Sequence, residues 1–168
     1  MRRMPLLLVL GVLLVAALGF QGVASSSEGA RVLEFDTMTA VVPPFTGRNV
    51  PAHPIRGVGG GGVPWQIAAA KGELRTDGRL EIEVEGLVIV ATQTNPVATF
   101  RGVVNCLTTD SPDNGVNLVT DPVAATSTGD AKIEAQVDLP TPCVAPIVFV
   151  TNGGGAAPGA WFATTGSG

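Results

Sequence analysis

The sequence predicts an all-β fold: an antiparallel β-sandwich, Ig-like or Greek-key in type, of about eight strands, with a small closed β-barrel as the alternative. Three observations carry this prediction. Residues 80–85 and 133–138 alternate apolar and polar side chains, the pattern of strands with one wet face. Short β-prone segments recur between Pro, Gly, Asp and Asn turn residues. No stretch of the mature chain sustains a helical period.

The elements follow in order. Arg2 and Arg3 precede an apolar run from Leu6 to Phe20, and small residues follow at Gly22, Ala24, Ser25 and Ser26. This is the layout of a secretory signal peptide over residues 1–24, cut after Ala24 or Ser25. The run is shorter than the roughly twenty residues that span a bilayer, so no stable membrane insertion is expected after cleavage. Export places the remainder in an oxidising compartment: periplasm, cell wall or medium. Residues 25–42 form an N-terminal segment holding the first strand, Arg31 to Val42, which stops at Pro43-Pro44. Residues 43–64 read as a loop or linker, because half of the 22 are Pro or Gly. Residues 65–168 then form the sandwich domain.

Within that domain the first hairpin has a definite register. An Asp77-Gly78 two-residue turn would set Leu74 opposite Glu81 and mix core with solvent faces. A three-residue loop, Thr76-Asp77-Gly78, sets Leu74 opposite Leu80 and is preferred, although it also places Glu73 opposite Glu81. Gly86 interrupts the alternation, and Leu87 to Ala91 is expected to bulge or become central. Further strands are expected at Val97–Leu107, Val116–Thr120, Val123–Thr126, Ile133–Leu139, Ile147–Thr151 and Ala160–Thr165. Asp110 to Gly115 is turn chemistry.

Composition narrows the function. Cleavage removes Arg2 and Arg3 from the ten Lys/Arg, leaving eight against 14 Asp/Glu and a mature net charge of −6. An acidic chain without a basic cluster is no candidate for nucleic acid. Free use of Arg over Lys points to a GC-rich bacterial coding sequence. The two cysteines, Cys106 and Cys143, are expected to form a disulfide that pins the Val97 strand to the segment leading into the Ile147 strand. No Cys-x-x-Cys redox motif is present.

Few residues carry chemistry. His53 is the only histidine, which removes most zinc and copper arrangements and leaves one base for any serine device. No serine sits in Gly-x-Ser-x-Gly. The glycine run at 57–62 lacks the Gly-Lys-Ser/Thr of a phosphate cradle. Pro112 occupies a ligand position of the calcium-loop reading of Asp110 to Gly115. No catalytic residue, metal or cofactor is therefore assigned. Trp65, His53 and Arg56 are the candidate contacts with a protein or glycan partner, Trp65 first because large aromatics anchor interfaces. The expectation is an exported, non-enzymatic binding or interaction module. One alternative is an extracytoplasmic hydrolase using the Glu81, Glu83 and Glu85 stripe as paired carboxylates. Another is a secreted structural or assembly component that pairs through a strand edge.

Overall fold

The computed structural model describes residues 29–47 and 53–166. The expected signal peptide and its cut lie outside the described residues. The chain is all-β, with no helix among those residues. Twelve strands occur there: β1 (Arg31–Phe35), β2 (Thr39–Ala40), β3 (Trp65–Gln66), β4 (Ala69–Arg75), β5 (Arg79–Glu85), β6 (Val88–Ile89), β7 (Thr99–Leu107), β8 (Val116–Val119), β9 (Val123–Ala124), β10 (Ala131–Gln136), β11 (Val144–Asn152) and β12 (Trp161–Thr164).

They form two main antiparallel sheets that face each other. The first has four strands in the order β1-β4-β5-β10. The second has the order β2-β12-β11-β7-β8, with β9 also on β7. β3 and β6 make a small separate pair. The hairpin β4–β5 has Leu74 opposite Leu80 and Glu73 opposite Glu81, as the three-residue loop requires. Gly78 closes that loop at φ +87°, and a Cβ there would stand 1.9 Å from the Val137 carbonyl oxygen. Leu74, Leu80, Ile82, Val84 and Ile133 bury one face of the first sheet. They meet β7 closely: a Cβ at Gly102 would lie 3.1 Å from Ile82 and 3.2 Å from Leu80.

β7 is buried on both faces, from Phe100 through Cys106. Residues 57–62 of the Pro/Gly-rich segment run alongside β12 of the second sheet. The Gly61 N–H donates to the Trp161 carbonyl, and the Trp161 N–H donates to the Gly59 carbonyl, at 2.8 and 2.9 Å. Val58 beneath it is fully buried. A glycine-rich strip has too little apolar surface to form a core alone, yet it can lie flat on one and bond through its backbone.

Three expectations are revised. The first strand is split, because the chain crosses from sheet to sheet at Asp36–Met38, so β1 pairs with β4 and β2 with β12. The sandwich therefore takes two strands from ahead of residue 65. Leu87 to Ala91 does not extend β5: Gly86 turns away at φ +65°, and Val88–Ile89 pairs with Gln66–Trp65. The strand number rises from about eight mainly through the two-residue strands β2, β3, β6 and β9. Cys106 and Cys143 are bonded, with Cα atoms 4.9 Å apart across 37 residues, tying β7 to the approach to β11.

Candidate interaction surface

Trp65 is buried rather than displayed. Its ring stacks on Phe162 at 4.0 Å and 19°, and Phe162 in turn meets Phe100 edge-on at 5.9 Å. Trp161 is buried too, against Phe149 and Phe45 at 6.2 and 6.3 Å. Neither indole offers an open face. What lies exposed is the rim above the Trp65 stack. The Trp65 N–H donates to the Val41 carbonyl, and the Val90 N–H donates to the Pro64 carbonyl. The Phe45 N–H donates to the Val42 carbonyl across the Pro43-Pro44 turn. These bonds bring the segments at 41–45, 64–66 and 89–93 together, and the Gln66 and Gln93 side chains bond across at 2.8 Å. Val42, Phe45 and Val90 are 43%, 38% and 44% exposed, three of the five large apolar side chains that are so among the described residues. Sequence patterns do not single them out. The signal available was Phe45, the one aromatic in a Pro/Gly-rich loop.

The other two candidate contacts lie elsewhere. His53 is exposed ahead of the turn between Ile55 and Val58. Arg56, at φ 46° in that turn, reaches away from Trp65. Its guanidinium donates to the Ala145 carbonyl at 2.7 Å and to Asn105 Oδ1 at 3.1 Å. Ala145 sits where the β7–β11 register shifts, so Arg56 satisfies a carbonyl that the ladder leaves over. Asn105 is fully buried and passes the network on: its Nδ2 donates to the Asn114 carbonyl and to Asn117 Oδ1, both at 2.8 Å. Arg56 is thus a staple beside the disulfide. Arg101 has a similar place at the other end of β7, buried and donating to the carbonyls of Gly153 and Gly155. A charge and an amide inside the apolar run 100–106 were the signals for both networks.

The glutamate stripe faces solvent from the first sheet and is laced with cations. Lys71 pairs with Glu83 at 2.8 Å, Lys132 with Glu81 and Glu134 at 3.1 and 2.7 Å, and Arg75 with Glu73 at 2.6 Å. The Glu73–Glu81 opposition is thereby relieved from both flanks. An open groove of about 600 Å³ crosses this face, lined by Glu34, Asp36, Lys71, Glu73, Glu81 and Glu83 among others. The hydrogen bond from Arg75 holds the Glu73 carboxyl below its usual pKa, and that from Lys71 does the same to Glu83. Among the described residues no three His, Cys, Asp or Glu side chains converge as a metal site. Among the same residues no helix is long and apolar enough to cross a membrane. Comparison with protein-family models, curated proteins and solved structures finds no match.

Proposed function

We propose that this chain is an exported, non-enzymatic β-sandwich of Ig-like or Greek-key type that works as an interaction module of the cell envelope or medium. The rim of Val42, Phe45 and Val90 is its contact surface. The observation that carries this reading is that these three exposed apolar side chains stand on segments bonded to one another around the buried Trp65. Single exposed valines are ordinary, whereas a cluster on rigidly held loops is a binding feature. The partner is a protein. Sugars favour open aromatic planes, and both indoles are buried under other rings. A disulfide-closed domain suits an extracytoplasmic address.

The hydrolase alternative draws less support. A glycosidase-type pair needs one carboxyl with a raised pKa to act as acid. Glu83 of the glutamate stripe is shifted the opposite way, toward the charged form, by the Lys71 hydrogen bond, and the groove beside it is open.

The test is capture from native envelope and medium with immobilised mature protein, wild type against V42S/F45S/V90S. The expected result is a protein retained by wild type and lost with the variant, while both remain folded at the assay temperature by circular dichroism. Identical capture by the two folded proteins would rule out the rim as the contact surface.

A further inference from the structure

We propose that β10 is a self-complementary sheet edge through which a second copy of this chain associates. The pairing does not depend on the apolar rim. The edge strands of the two main sheets are β1 and β10 in the first, and β2, β8 and the two-residue β9 in the second. β1 is broken by a register shift between Arg31 and Leu33, and β2 has only two residues. β8 has four residues. β10 has six residues, Ala131 to Gln136, in unbroken register with β5. Among the described residues its opposite side takes no backbone hydrogen bond over that span.

The side chains of β10 select one pairing. Ile133 is buried with Ala131 and Ala135 on the core face, while Lys132 and Glu134 stand on the solvent face. An antiparallel second copy with the two-fold axis at Ile133 sets Lys132 opposite Glu134 of the second copy, and Glu134 opposite its Lys132. Ala131 then meets Ala135 on either side of the paired isoleucines. Moving the axis to Glu134 opposes two glutamates. Moving it to Lys132 opposes two lysines and sets Glu134 against Asp130. A one-residue slip joins the polar face of one copy to the core face of the other. Of the registers centred on Lys132, Ile133 and Glu134, all of which match the faces, the one centred on Ile133 alone sets opposite charges against each other at both positions.

An edge lysine commonly protects against pairing. Here Lys132 already lies between Glu81 and Glu134, so the edge presents both signs. The two four-stranded sheets would become one continuous sheet. One strand pair buries little area, so the association is weak and concentration-dependent.

The experiment is sedimentation velocity over a dilution series for wild type, K132E, E134K and K132E/E134K. Each single substitution opposes like charges at both ends of the pairing, and weakens self-association about tenfold or more. The double substitution exchanges the charges and restores it. Lys132 and Glu134 have side chains 52% and 66% exposed, so the fold should tolerate these changes. Should K132E melt below the assay temperature, E134K compared with E134Q decides the matter, the cationic variant losing more. A monomeric wild type at every concentration, single variants that associate like wild type, or a double variant that fails to recover would each overturn the proposal.

Discussion

Asn105 shows what a single side chain decides in this molecule. It is fully buried, and its amide joins three segments: the Arg56 turn, the 111–115 turn and β8. Truncating it leaves the Arg56 guanidinium, the Asn114 carbonyl and the Asn117 side chain each short of a partner. Asn114 and Asn117 are exposed and Arg56 half-buried, so the freed groups turn in part to water, and Asn105→Ala should lose about 1–3 kcal/mol in urea unfolding. A loss under about 0.5 kcal/mol would mean that water takes over the amide's bonds. Arg56 parts from Trp65 and His53, the other two candidate contacts, for the same reason: a polar atom within reach of an unpaired carbonyl goes to it. That preference depends on where the β11 bulge falls, which no local pattern announces.

Among the elements, those whose sequence holds a full period were legible and those set by a crossing were not. β5 and β10 alternate strictly, and the hairpin register follows from keeping Leu74 and Leu80 on one face. β1 and β2 look like one strand because β-propensity continues through Asp36-Thr37-Met38; only the packing of two layers tells where the chain changes sheet. The loop at 43–64 carries no period at all, and its glycines at 59–61 join the second sheet beside Trp161 through backbone alone. Trp65 stands out in the sequence as a large aromatic, but its exposure is not readable there, because the Phe162 that covers it lies far along the chain. The disulfide, in contrast, needs only an even count and a compartment. Its removal frees a 37-residue closure. In the chain-entropy model C106S/C143S should then lower unfolding free energy by about 4 kcal/mol. A thermal midpoint unchanged by the double substitution would show that the bridge adds nothing to the packing of β7 on β11.

At the scale of the whole molecule, charge sets the response to acid. Glu73 and Glu83 are held below the usual carboxylate pKa by hydrogen bonds from Arg75 and Lys71, Asp77 by the Arg79 backbone N–H, and Asp130 by the Thr128 hydroxyl. As pH falls, the unfolded chain takes up protons first. These groups therefore contribute stability that is complete above the ordinary carboxylate range and lost as pH drops below about 4. The urea midpoint should be level near neutrality and decline through that window; a midpoint that rises on acidification would reverse the assignment. The same molecule is proposed to leave the cytoplasm, shed its first residues and close one disulfide, and its role as an interaction module rests on that passage. Intact mass spectrometry of the protein from the extracytoplasmic fraction, alkylated under denaturing, non-reducing conditions, tests it most directly. The expected species is a chain starting at Ser25 or Ser26 with neither Cys106 nor Cys143 labelled. A chain that still carries Arg2 and Arg3 and has both cysteines labelled would contradict it.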